Sequence, residues 1–203
     1  MSNQTSDKNK RIAKNTLLLY LRLVLTMGVG LFTSRVVLNT LGVEDYGVYN
    51  VVGGVVAMFA LFTGSLSAAI SRFLTYELGK GNVDKLNVVF STSVTIQLVL
   101  AVVVSLLAEI GGVWFLNTHM NIPLERMNAA NWVLQFSILT FAINLTSVPY
   151  NAAIIAHEKM SAFAYISILE VILKLGVAYT LYISPIDKLK TYAILLALVA
   201  LII

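Results

Sequence analysis

Residues 127–156 read MNAANWVLQFSILTFAINLTSVPYNAAIIA and hold no Lys, Arg, Asp or Glu. A helix needs roughly 20 predominantly apolar residues to cross the hydrocarbon core, so this stretch is long enough to span a membrane. A strand of an outer-membrane barrel would instead show about 10 residues of alternating polarity. Here and in the neighbouring runs the apolar residues are continuous and rich in Leu, Val, Ile and Ala, which predicts helices.

Further runs of the same kind lie on both sides. Residues 16–41 form an apolar stretch too long for the core of a signal peptide and lacking an A-x-A cleavage pattern, so a first transmembrane helix is predicted there. A second covers 47–71 without a charge, and a third covers 86–108, with 116 as its outer limit. The fourth lies over about 129–156, and the fifth over 161–183, interrupted by Glu170 and Lys174. A sixth apolar run, 191–203, stops short of the roughly 20 residues a span requires, so a truncated sixth helix is expected. The fold class is therefore all-α transmembrane: a polar cytoplasmic tail, 1–15, taken as disordered, then a six-helix bundle over 16–203.

Composition agrees. Of 203 residues, 58% are hydrophobic and only 12% charged, and the mean hydropathy is +0.84. A soluble domain carries about 25% charged residues to wet its surface. Half that proportion leaves most of the surface to face lipid. Cysteine is absent, which excludes disulfides, thiolate metal sites and cysteine nucleophiles. The small net charge of +4 is unevenly placed, with Lys8, Lys10, Arg11 and Lys14 clustered before the first span. Beside an apolar span such a cluster sets orientation and meets anionic lipid headgroups, and nucleic acid is not expected as a partner. With the amino terminus inside, the inner segments also hold Arg72, Lys80, Lys85 and Lys159, while the outer ones hold Arg126, Lys188 and Lys190. That bias predicts a cytoplasmic amino terminus. Lys188 and Lys190 run against it.

Ionisable residues inside a membrane are costly, so they face protein or a water-filled cavity. Arg22 lies about two turns into the first helix, where snorkelling to the headgroups is the alternative to lining a cavity. Arg35 lies near its outer end, and thirteen residues at 100° each turn the two arginines to different sides. Arg72 closes the second helix, where anchoring is the rival reading. Glu170 and Lys174 stand four apart in the order that suits a helical ion pair, and Glu170 reads as the sole deep carboxylate. Pro149 should kink the fourth span or break a backbone bond there, which makes it a hinge candidate. Gly53, Ala57, Ala60, Gly64, Ala68 and Ser71 follow at steps of three or four, a smooth face suited either to static packing or to sliding. His119 stands apart from other metal-ligand types and His157 reads as a helix terminus, so no metal site or cofactor is predicted. No H-E-x-x-H, G-x-S-x-G, P-loop or carboxylate cluster supports catalysis, and an enzyme is not expected.

Three stretches resemble one group of transporters. SRVVLNTLGVEDYGVYN (34–50) looks like the first-to-second helix junction of Wzx-type polysaccharide flippases, of the multidrug/oligosaccharidyl-lipid/polysaccharide exporter superfamily. SLSAAISRFLTYELGKG (65–81) is similar to their second-helix end and cytoplasmic turn, and VPYNAAIIAHEKM (148–160) to their fourth-helix end. The resemblance implies the amino-terminal lobe of a two-lobe transporter of about 12–14 helices in the bacterial inner membrane, working by alternating access. It also implies an undecaprenyl-pyrophosphate-linked oligosaccharide as substrate, destined for surface polysaccharide such as lipopolysaccharide. The expected partners are that lipid-linked oligosaccharide, membrane lipids, a carboxy-terminal lobe of the same chain and other polysaccharide-assembly proteins. On that analogy Arg22, Arg35, Arg72 and Lys174 are cavity cations for the pyrophosphate, with Glu170 as counter-ion or proton site. Two alternatives remain open at this point: a multidrug cation antiporter of the same superfamily, and a membrane scaffold that transports nothing.

Overall fold

The computed structural model describes residues 2–185 and 187–203, with the side chains of 2–12, 14 and 60–63 left aside. The chain is all helical: α1 (Ser2–Ala57), α2 (Ala60–Lys80), α3 (Val83–Thr118), α4 (Leu124–Ala156), α5 (Met160–Ile183) and α6 (Lys188–Ile202). Four stretches are long and apolar enough to cross a membrane: Asn15–Ala57, Val83–Thr118, Leu124–Ala156 and Met160–Ile183. The protein is an integral membrane protein. Its exterior fits a lipid environment, with Leu31, Val102, Leu107, Ile110 and Ile172 all exposed.

Gly42 decides the topology of α1. Its backbone (φ 82°, ψ 169°) lies in a region open essentially to glycine alone, and it divides the helix into arms 2–41 and 43–57. The first arm runs parallel to α5. Arg22 meets Phe163 and Ser167, and further along Val36 and Val37 cluster with Val177, Ala178 and Leu181. The second arm and α2 run parallel to α4, since Gly53 faces Ser137, Phe59 meets Phe141, and Ile70 and Leu74 pack on Val148 and Ala152. Arm 2–41 and arm 43–57 therefore point in opposite directions, and the expected outer loop at 42–46 shrinks to one glycine.

The remaining reversals follow simpler chemistry. Gly81 ends α2 in the left-handed conformation (φ 68°), and the Asn82 side chain accepts from the Lys85 amide to start α3. α3 runs antiparallel to α4: Phe90 stacks edge-on against Tyr150, and Glu109 meets Gln135. These contacts place Gly42, Pro123 and Asp187 at one end of the bundle and Gly81 and His157 at the other.

α4 is the hub, packed against every other helix. The main core joins Val48, Val52 and Val56 of α1 to Ala101 and Ala108 of α3, Val133, Leu134 and Phe141 of α4, and Ala193 of α6. The closest approach lies at Gly112, where an added Cβ would stand 3.0 Å from the Leu134 side chain.

Several expectations need correction. Residues 2–14 continue the first helix, consistent with a stretch free of Gly and Pro, and do not form a disordered tail. The predicted second helix is broken at Met58–Phe59, so its small-residue face is not continuous. Ala57, Gly64 and Ala68 on that face are exposed, and only Gly53 among its glycines comes near a neighbouring helix. The third helix continues through Glu109 to Thr118. Pro149 is fully buried inside α4, where its ring nitrogen offers the helix no backbone donor, as expected of it.

Candidate functional site

α4 carries polar residues at Ser137, Thr140, Asn144, Ser147 and Asn151, at steps of three and four that place them along one side of the helix. Two cavities open onto that side. One, of about 390 Å³, lies between Tyr49, Asn50 and Gly53 of α1, Ser137, Thr140 and Asn144 of α4, and Ala193 of α6. The other, of about 630 Å³, lies between Asn144, Ser147 and Asn151 of α4, Ser167 and Glu170 of α5, and Leu201 of α6. Asn144 lines both, so the two form one polar lane along α4.

The lane becomes charged toward the Gly81 end. Arg22 donates from Nη1 to Ser167 Oγ at 3.3 Å, and its guanidinium carbon lies 4.5 Å above the Phe163 ring. Its Nε is buried and has no hydrogen-bond partner among the described residues. A guanidinium has five donors, so Arg22 keeps capacity for an oxyanion beside residues that line the cavity. Glu170, on the same wall, accepts from Lys174 Nζ at 2.6 Å. Their side chains are 38% and 44% exposed, so the pair opens to the surroundings rather than being sealed in the core.

The structure thus brings Arg22, Glu170 and Lys174 to one region, through Ser167. It does not bring Arg35 or Arg72 there. Both are exposed, and neither forms an ion pair among the described residues. Pro149 is buried beside Val148, which packs against Ile70 and Leu74.

Three polar features were missed in the sequence. The lane on α4 was hidden inside a stretch read as uniformly apolar, although the 3–4 spacing of hydroxyls and amides was there to find. Glu109 is a second carboxylate inside a span: Gln135 Nε2 donates to both of its oxygens, at 2.7 and 2.8 Å. No basic residue pairs with it among the described residues. The reading of Glu170 as the sole deep carboxylate is corrected accordingly. At the Gly42 end, Arg126 Nε lies 3.1 Å from buried Asp45 and its Nη1 lies 3.5 Å from Asp187. Lys188 Nζ adds a contact to the Thr40 carbonyl at 3.4 Å, so this group clasps α1, α4 and α6 together. No group of three or more metal-ligating side chains occurs among the described residues.

Known proteins bear on the chain at two points. A model of the MatE family matches residues 11–180. The chain is similar to the "Uncharacterized membrane protein EpsK" of Bacillus subtilis (strain 168), with 22% identity over 130 residues. That match takes in 64% of this chain but only 26% of the Bacillus protein. No solved structure matches significantly.

Proposed function

The chain belongs to the MatE family, and from that premise we propose that it forms the amino-terminal lobe of a flippase for undecaprenyl-pyrophosphate-linked oligosaccharide. The observation that carries the reading is the polar lane along α4, with Arg22 bonded to Ser167, one of the residues that line it. A path whose α4 side carries hydroxyls and amides among apolar neighbours suits the hydroxyls and C–H faces of a glycan. A guanidinium with unspent donors suits a pyrophosphate, whose oxygens match its planar fork. Lys174 adds positive charge nearby, with Glu170 as its counter-ion.

In this scheme the lobe rocks against a second lobe of the same protein, and the lane faces alternate sides of a bacterial inner membrane. The amino terminus is placed in the cytoplasm. The lipid tail stays in the bilayer, against the apolar exterior, while the headgroup travels the lane. Arg35 and Arg72, exposed and without an ion-pair partner among the described residues, act at the membrane surface or toward the second lobe in this scheme.

A cation antiporter of the same superfamily is the second reading, and Glu109 favours it. This carboxylate sits nine residues before the end of α3, about 14 Å along the helix, with a neutral amide as partner. Against it stands the lane itself, which Glu109 does not line.

Complementation tests the proposal. The complete gene, expressed in cells lacking their own glycan flippase, should restore surface glycan. Arg22→Ala should reduce that glycan at least about tenfold, the loss of one charge-assisted contact, with the protein still present in the membrane. Failure of the wild type to restore any glycan would sink the reading.

A further inference from the structure

A third cavity, of about 620 Å³, lies on α4 toward its Gly42 end, between Asn128, Asn131, Trp132, Gln135, Phe136 and Leu139. Phe136 also lines the cavity that holds Ser137 and Asn144, so its side chain borders both spaces, which lie on neighbouring sides of α4 about a third of a turn apart. From Asn128 to Asn151 the residues that line these spaces span 24 positions, about 35 Å along α4.

The chemistry here differs from that at the other end. Trp132 and Phe136 stack, with ring centroids 5.6 Å apart and planes 18° apart, and Trp132 remains 44% exposed. Amides flank this platform with only part of their capacity used. Asn131 donates to the Met127 carbonyl at 2.9 Å, Gln135 donates to Glu109, and Asn128 accepts from Lys190 at 2.7 Å. That leaves the carbonyl oxygens of Asn131 and Gln135 and the amide nitrogen of Asn128 for a ligand. The charged groups at the edge, Glu109 and Lys190, oppose one another in sign. A row of amides and a carboxylate facing hydrocarbon would be expensive, so the face borders water or protein.

We infer that this aromatic and amide face of α4 is a subsite for the neutral sugar rings of the transported headgroup. A pyranose presents a flat C–H face that covers an aromatic ring, and rim hydroxyls that both donate to and accept from amides. A phosphate finds little here because Glu109 offsets Lys190, and a purely apolar ligand would strand the amides. The substrate then has a direction in the lobe, with pyrophosphate at Arg22 and sugars toward Trp132. This inference rests on the flippase reading above.

Binding measurements on the purified protein in nanodiscs separate the two claims. The probes are undecaprenyl pyrophosphate and the lipid-linked oligosaccharide extracted from the cells that carry the gene. Wild type should bind the glycosylated lipid more tightly. Trp132→Leu and Gln135→Leu should each weaken that binding at least about fivefold, the scale of one aromatic contact or hydrogen bond. Both should leave bare undecaprenyl pyrophosphate unaffected, and Trp132→Phe should keep most of the preference. Equal wild-type affinity for the two lipids overturns the sugar subsite while leaving the anion site standing. A preference that survives both leucine variants also overturns it, and marks the face as a packing surface for protein. If wild type binds neither lipid, the flippase reading falls and the subsite with it.

Discussion

Gln97 is fully buried on α3, and neither its amide nitrogen nor its carbonyl oxygen has a hydrogen-bond partner among the described residues. An orphaned polar group of this kind costs about 1–3 kcal/mol, and an apolar replacement of similar size recovers part of it. Gln97→Leu should therefore raise the midpoint of thermal unfolding in detergent. A lower midpoint would show that the amide is satisfied in the protein. Arg22 calls for the opposite expectation, because its contacts are polar and only partly used. Arg22→Lys keeps the charge but not the planar fork, so surface glycan should fall between wild type and Arg22→Ala in complementing cells. At this scale the sequence was only partly readable. The Glu170–Lys174 pair follows from spacing along one helix, whereas the Gln135–Glu109 contact depends on two helices meeting, and local spacing says nothing of that.

Gly42 turns the chain back between the two arms of α1 at a backbone conformation that side chains avoid. Gly42→Ala should destabilise the protein by about 1–3 kcal/mol, with no steric clash involved, because open space surrounds the position. Gly64→Ala, in a helix and also in open space, should be neutral or slightly stabilising. Comparison of the two midpoints by thermal unfolding checks both expectations. The clasp of Arg126 with Asp45 and Asp187 ties three elements at the same end. Arg126→Ala strands a buried Asp45 carboxylate, so it should cost more stability than Asp187→Ala, whose side chain is 27% exposed. The element boundaries explain how the helices were partly misread. Charge was taken as a helix limit at Glu109, yet Gln135 satisfies that carboxylate and the helix continues. The apolar run over 47–71 looked uniform because averaged hydropathy does not register the break at Met58–Phe59. The clasp was invisible because its members come from three distant segments.

For the whole molecule, the all-α architecture was legible because a bilayer imposes a length of about 20 apolar residues on every span. The lane was not, since α4 is still apolar enough overall to cross a membrane, and an average along the helix does not register that its polar residues share one side. Their meaning appears once α1, α5 and α6 stand around them. If the lane carries a headgroup, this side of α4 faces water and not lipid. These 203 residues hold no cysteine, so single cysteines placed among them have no competitor within this lobe. Ser137→Cys, Thr140→Cys, Asn144→Cys, Ser147→Cys and Asn151→Cys, with Leu107→Cys and Ile110→Cys as lipid-facing controls, should be treated in membranes with a charged, membrane-impermeant maleimide. Labelling is expected at the five α4 positions, blocked by lipid-linked oligosaccharide, with little at the two controls. Labelling confined to the helix ends, or equal at lane and control positions, would contradict it.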